Sequence, residues 1–375
     1  MTVAYDIERL RHLVASRTLS TATTPAVLID TKVVEGNIRN TLSLVGSPRR
    51  WRPHIKTARL RWTVERLLAY GVSQFKASTT SEVDLLLSSG VRDVVLAFPA
   101  VGPTQWRLAE LAAAHPDARV AALVDHPAAV QTWKPGPVSA FLDVDTGGLR
   151  TGVPLHDERG AAALVSVLRE RSIEFRGLHS YDGHLADMKP QEQESAVTKE
   201  LHDLVALARG LTDAGHQVEE IIAGGSHTFI PAANVALPAE WQSRLTLAPG
   251  TVVYNDVRSL ERFGDRGYRC AAFVLSRVIS HQADGGVTLD AGLTSIQVDA
   301  GRPHAQVLGL PTAEVRAPAQ EHLKVGIGAD PRPAIGEILA LVPRHVDTTI
   351  AQFDRVHLAD ESGSVWSVDT VRRPF

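Results

Sequence analysis

His54 and Lys56, two residues apart in Arg52-Pro53-His54-Ile55-Lys56-Thr57, are the first pair in this chain whose types and spacing can do chemistry. In an extended segment, period-2 alternation puts both side chains on one face, and if Ile55 faces outward both point inward. An unpaired buried ammonium is strongly unfavourable. An inward lysine at a strand end is therefore often depressed in pKa and used as an amine nucleophile, for instance in a Schiff base. A rim lysine in a salt bridge is the alternative. Further along, Gly224-Gly225-Ser226 offers backbone N–H groups and a hydroxyl that could close around a phosphate, although a Gly-Gly pair alone is an ordinary turn. Asp143-Val144-Asp145-Thr146-Gly147-Gly148-Leu149-Arg150 is a polar turn that delivers an arginine. His179-Ser180-Tyr181-Asp182-Gly183-His184 puts His179 and Tyr181 on one face by alternation and starts a loop with His184. A lone histidine is commonly structural; clustering weakens that reading. Near the C-terminus, His345-Val346-Asp347, if extended, projects imidazole and carboxylate from one face. Such a pair can chelate a divalent ion such as Mn²⁺ or Zn²⁺ and leave coordination positions open to substrate. An isolated H-x-D pattern on a surface is the bland alternative.

The elements that must position these residues alternate along the chain. From Pro25 onward, short β-rich runs (25–30, 51–56, 74–78, 93–98, 119–125, 138–145, 174–181, 219–224) alternate with stretches of helical periodicity, the pattern of parallel βα units. Eight such units close naturally into a (β/α)8 TIM barrel of about 200–250 residues, with chemistry at the C-terminal strand ends. The expected barrel spans 22–248, with Gly224–Ser226 at the eighth strand's end. After Pro249, strand-like runs separated by Gly, Pro and Asp predict a C-terminal all-β domain over 249–375, and residues 1–21 are left to pack with either part.

Composition restricts the partners. With 39 Lys+Arg against 42 Asp+Glu, the net charge of −3 favours neither nucleic acid nor an anionic membrane. A single cysteine, Cys270, cannot form an intrachain disulfide, and no stretch approaches the ~18 apolar residues of a membrane span. The N-terminus lacks an apolar signal core, so the expected location is cytoplasmic.

The runs RPHIKT, FLDVDTGGLRTGV, GLHSYDGH, AGGSHT, APGTVVYND, LDAG and PRHVDTT resemble, in order, those of the D-threonine aldolase and D-serine dehydratase-like enzymes. These are similar to alanine racemase in fold and are fold type III pyridoxal-phosphate enzymes; the resemblance runs from about Pro25 to the C-terminus. It implies a Schiff base between Lys56 and pyridoxal 5′-phosphate, with His54 beside it and the phosphate at Gly224, Gly225 and Ser226. It also implies Arg150 near the pyridine nitrogen, Tyr181 flanking the cofactor, and Tyr254 and Asp256 near the mouth. A divalent ion, Mn²⁺ first and Mg²⁺ or Zn²⁺ otherwise, would lie on His345 and Asp347.

A His-x-Asp pair is similar to that of the aldolases, whereas the dehydratases of the family resemble His-x-Cys. The implied activity is cleavage of a D-3-hydroxy amino acid to glycine and an aldehyde, with His184 as base for the hydroxyl proton. Dehydration to ammonia and a 2-oxo acid is the second reading, and racemisation a third. Ala58 and His179 depart from the family's commoner residues at pocket positions, which leaves the particular substrate open. The resemblance also implies a homodimer.

Overall fold

The structure, a computed structural model, describes residues 5–134, 136–263 and 266–371. It divides into two compact units, Thr41–Gly250 and Met1–Asn40 with Thr251–Phe375. Strand β1 (Ala26–Asp30) belongs to the second of these. It pairs antiparallel with a strand beginning at Ala272 and parallel with one beginning at Arg355. The strand expected to open the barrel is thus not a barrel strand. All five of its residues are buried and the first four are apolar, so it reads like a parallel barrel strand.

The Thr41–Gly250 unit is built on parallel strands β2 (Gln74–Ala77), β3 (Asp93–Pro99), β4 (Arg119–Val124), β5 (Val138–Asp145), β7 (Phe175–Ser180), β8 (Glu220–Ala223) and β9 (Leu245–Leu247) in that spatial order. A two-residue strand β6 (Val153–Pro154) pairs with the end of β5. Residues 51–54 close the ring: Trp51 bridges Leu247 of β9 and His54 bridges Lys76 of β2, both parallel. Arg52 N–H donates to Leu247 O (2.8 Å), Ile55 N–H to Lys76 O (2.9 Å) and Lys76 N–H to Pro53 O (2.9 Å). Eight members therefore close the barrel, the last being β9 in place of β1.

Helices between the strands form where the sequence caps and stripes them. Glu158–Glu170, for example, is capped by Asp157, whose side chain accepts from Gly160 N–H at 2.9 Å, and buries Ala161, Leu164, Val165 and Leu168 at helical spacing. Inside the ring, Val95, Ala121, Leu123, Phe141, Ile222 and Ala248 pack as one cluster. At the N-terminal strand ends lies a charged plug. Fully buried Arg52 donates to both oxygens of Glu220 (2.9 and 2.7 Å) and to Asp93 (2.9 Å), and Arg176 binds Asp93 through two bonds (3.1 and 2.7 Å). Each buried charge is multiply hydrogen-bonded, the condition under which such clusters are tolerated.

The second unit is a largely antiparallel sheet. It contains β10 (Ala272–His281), β11 (Val287–Leu289), β12 (Ala305–Val307), β13 (Glu314–Val315), β14 (Leu323–Gly326), β15 (Ile338–Pro343), β16 (Arg355–Ala359) and β17 (Val365–Asp369). Its order is β13-β14-β11-β10-β1-β16-β17, with β15 pairing β10 and β12. The helix Ile7–Val14 is tied to this sheet by Arg9, which binds buried Asp30 at the end of β1 through Nε (2.7 Å) and Nη2 (3.1 Å). Among the described residues, no helix is long and apolar enough to cross a membrane.

Candidate active site

Lys56 stands just past the segment that closes the barrel, in a turn pinned from both sides. Arg59 N–H donates to Ile55 O (2.9 Å), Arg59 Nε to Lys56 O (2.8 Å), and the same guanidinium meets buried Glu82 at 3.3 Å. Holding this turn costs a left-handed φ of 44° at Arg59, a non-glycine residue. His54 Nδ1 accepts from Lys56 N–H at 3.3 Å. Burial, with Lys56 and Lys76 nearby, holds the His54 imidazolium well below its ordinary pKa, so the ring is neutral.

The barrel interior brings together a group that the sequence reading did not single out. Lys76 Nζ lies 2.8 Å from His179 Nε2, His179 Nδ1 lies 2.7 Å from Asp143 Oδ1, and Thr151 donates to Asp143 Oδ2 at 2.6 Å. Lys76, His179 and Asp143 are all buried. One hydrogen assignment satisfies the chain: Lys76 donates to Nε2, and Nδ1–H donates to the carboxylate. Burial pushes Lys76 down to about 7, with Lys56 and Arg52 adding to that and Asp143 and Asp182 opposing it. Burial and Lys76 push His179 down to about 4 against the pull of Asp143, which leaves the imidazole neutral at pH 7. His179 was noted as a pocket residue. Lys76 carried a signal too, a lone cation within the short strand Gln74–Ala77, but its partners lie 67 and 103 positions away.

Beyond β7, Tyr181 leaves the alternation expected of it. His179 is buried, whereas Tyr181 is 42% exposed and carries the Arg150 guanidinium over its ring, 4.2 Å from the centroid. Arg150, Tyr181 and His184 line one cavity of about 160 Å³ with Asp143, Asp145 and Thr151. Asp145 shapes its wall by accepting from Gly147 N–H (2.9 Å) and Leu149 N–H (3.1 Å).

Gly224–Ser226 follows β8, the seventh member of the ring, not the eighth. The true last strand, β9, leads into Ala248-Pro249-Gly250, and Gly250 N–H donates to Ser226 Oγ at 3.0 Å, so the two strand ends form one turn cluster. Glycine is required at both: Gly224 has φ +66°, and a Cβ on Gly250 would meet the His54 carbonyl oxygen at 2.2 Å. The Gly225 N–H is already donated to Asp182 Oδ1 (3.2 Å), and Asp182 Oδ2 accepts from Thr228. Asp182 therefore holds this turn, another role sequence reasoning missed.

In the other unit, His345 and Asp347 do not form the extended pair expected of them. His345 is extended and directly precedes the helix Val346–Ile350 without a side-chain capping bond, and Asp347 sits in the helix's first turn, so strand alternation does not apply. His345 Nδ1 meets Asp299 Oδ2 at 2.6 Å, an arrangement that fixes the tautomer and presents Nε2. Thr251 donates to Asp347 Oδ1 at 3.0 Å. Asp256, expected near the cofactor, accepts from Ser259 N–H (2.8 Å) and Val346 N–H (3.1 Å), anchoring the turn that carries the pair. Tyr254 is fully buried, its carbonyl accepting from Ala271 N–H at 2.7 Å. Among the described residues no group of three or more His, Cys, Asp or Glu could hold a metal ion, so any metal site here rests on the two-residue pair and open positions.

A closed parallel barrel with a lysine at its ring segment and a glycine turn cluster beside it, joined to a β unit, defines a class of barrel enzymes. The chain belongs to the alanine racemase N-terminal domain family, whose model matches residues 29–255, and a putative serine dehydratase domain matches 271–359. It is 27% identical to a D-threonine aldolase of Arthrobacter sp., over 90% of this chain and 89% of that protein. It is 26% identical to the D-threo-3-hydroxyaspartate dehydratase of Delftia sp. (strain HT23), over 93% of this chain and 97% of that protein. The crystal structure of a D-threonine aldolase from Filomicrobium marinum superposes with a TM-score of 0.83 at 24% identity, covering 94% and 96% of the two chains.

The residues present fit a phosphorylated aldehyde cofactor. The Gly224–Ser226 turn is tied to Gly250 by the Gly250 N–H to Ser226 Oγ bond, and Gly250 lies so close to the His54 carbonyl, two residues before Lys56, that a Cβ there would meet it at 2.2 Å, which sets this small-residue turn beside the Lys56 segment. The imidazole and carboxylate of His345 and Asp347 fit a borderline divalent ion.

Proposed function

We propose that this chain is a pyridoxal 5′-phosphate- and divalent-metal-dependent lyase that cleaves D-3-hydroxy amino acids to glycine and an aldehyde. The observation that carries the reading is that three curated relatives, over at least 89% of every chain compared, take a D-3-hydroxy amino acid by name, two of them as aldolases. The Lys56 strand-end geometry supports it.

On this reading the Lys56 amine binds the cofactor aldehyde. The Gly224–Gly225–Ser226 turn holds its phosphate, while His54, Tyr181 and Arg150 surround the ring. When bound, the cofactor supplies a sink for the electron pair released at Cα. His345 and Asp347 hold the metal, Mn²⁺ in first place, which when bound supplies a Lewis acid for the 3-hydroxyl. His184, exposed on the cavity wall, takes the hydroxyl proton as general base, and Tyr181 with Arg150 bounds the space in which substrate lies. The permanent charge of Arg150 favours an unprotonated partner at any ring nitrogen it meets.

The dehydratase relative supports a second reading, in which Lys56 removes the Cα proton and the hydroxyl departs. We also place the working form as a cytoplasmic homodimer, to be checked by light scattering after gel filtration.

The deciding experiment compares the absorption spectra of wild type and Lys56→Ala, then incubates the wild type with D- or L-threonine and Mn²⁺ and assays glycine and 2-oxobutanoate. A visible band lost in the variant, and glycine from the D-isomer alone that a chelator abolishes, are expected. 2-Oxobutanoate would select the dehydratase, and a wild type without a band would refute the cofactor reading.

A further inference from the structure

The array Lys76–His179–Asp143 has a place in the fold that the reaction above does not use. Lys76 is hydrogen-bonded along its backbone to the residues on either side of His54: its carbonyl accepts from Ile55 N–H (2.9 Å) and its N–H donates to Pro53 O (2.9 Å). The Lys76 strand is thus the immediate lateral neighbour of the segment that carries Lys56. Its side chain runs inward to His179 on β7, which in turn reaches Asp143 on β5, so three strands share one line of polar atoms through an otherwise apolar barrel core. The charged and titratable groups facing Lys76 are Lys56, His54 and Arg52 from the ring segment, Asp143 and His179 from the far strands, and Asp182 from the loop after β7. Lys56 and Lys76 are like-charged when both are protonated, and a nearby cation is a known way to keep an amine in its nucleophilic form.

We propose that Lys76, His179 and Asp143 act as one buried proton-sharing array whose net charge sets the protonation of Lys56, which makes Lys76 a positioning residue for the amine that captures the cofactor. This rests on the reading of Lys56 as the cofactor-binding lysine. With neutral His179 and ionised Asp143, the array is neutral when Lys76 carries its proton and singly negative when it does not. Burial makes that proton easy to lose, since it brings Lys76 to about 7. Below about pH 7, where wild-type Lys76 carries its proton, replacing it by an uncharged side chain leaves the array negative, which favours the protonated Lys56 and slows capture; above that pH the wild-type array is negative as well. Replacing Asp143 by asparagine removes the anion and has the opposite sign. Capture itself is a condensation: the unprotonated Lys56 amine and the cofactor aldehyde join with loss of one water.

The test follows uptake of pyridoxal 5′-phosphate by the full-length protein freed of cofactor, as the rate of appearance of the visible band between pH 6 and 10. It compares wild type, Lys76→Met and Asp143→Asn, with Lys56→Ala as the blank and circular dichroism to confirm folding. The expected result is slower capture by Lys76→Met than by wild type at pH 6–7, with the two rates converging at higher pH, and faster capture by Asp143→Asn than by wild type over the range where capture is incomplete. A merely structural role would slow both variants without opposite displacements. Rates at pH 6 that coincide with wild type, or that move in the same direction in both variants, overturn the proposal while the Lys56 reading stands. If Lys76→Met fails to fold, Lys76→Gln takes its place with the same expected sign. A wild type that gains no band, or a Lys56→Ala that gains the same one, removes the Lys56 reading and the proposal with it.

Discussion

Asp299 is the residue whose role is most open to a direct measurement. Its carboxylate lies 2.6 Å from His345 Nδ1 and also accepts from Thr348 (3.1 Å), so it orients the imidazole that would face a metal ion. On the proposed reading, Asp299→Asn weakens Mn²⁺ affinity by about 10–100-fold, the usual effect of losing such an orienting partner. Calorimetric titration with Mn²⁺ checks this, and an unchanged affinity would free His345 from any dependence on Asp299. At this scale the sequence was informative where chemistry depends on residue type. Lys56, Arg150, His184 and His345 are recognisable by what they are. Asp299, Asp182 and Lys76 are not, because an acid or a lysine acquires meaning only from the atom it meets, and those atoms lie far along the chain.

Between elements, the two ends of the barrel strands carry different burdens. The C-terminal ends hold the candidate chemistry, whereas the N-terminal ends hold the Arg52–Glu220–Asp93–Arg176 plug, the division expected of this architecture. Burial alone would raise the Asp93 carboxyl, but the Arg52 charge and the bonds from Arg176 and Arg52 outweigh it and hold it down at about 2. A carboxylate depressed from 3.8 in the folded state stabilises fully above about pH 4 and loses that contribution as pH falls toward 2. The amount is roughly 2 kcal/mol. Urea unfolding at pH 5, 4, 3 and 2 should therefore show Asp93→Asn losing less stability across this window than wild type does, the difference being of that order. Equal losses would mean that the plug is held by packing and not by charge. The helices of this unit were legible because caps and apolar stripes are local, as at Asp157 and Ala161–Leu168. Strand β9 was not, since three residues contain too little alternation to register.

For the whole molecule, the decisive feature is that β1 leaves the barrel for the mixed sheet, where Leu28 faces Phe273 and His357 in register. Leu28 is fully buried, so Leu28→Ala should cost about 2–5 kcal/mol. Hydrogen exchange locates the loss: amides of Ala272–Leu275 and Val356–Ala359 should lose protection while those of β4 and β5 keep theirs. Protection lost in the barrel instead would return β1 to the place the sequence suggested. By itself the sequence determined the alternation of strands and helices, the change of texture after Pro249, and the chemistry at the strand ends, because period, turn residues and side-chain type are encoded within a few positions. Tertiary structure alone decided which strand closes the ring, that Gly224–Ser226 and Gly250 meet, and that Lys76, His179 and Asp143 share one line of hydrogen bonds. The physical reason is the same for all three. A strand buried on both faces can pair in either sheet with similar burial of apolar surface. The choice between them, and every contact that follows from it, belongs to partners tens to hundreds of residues away.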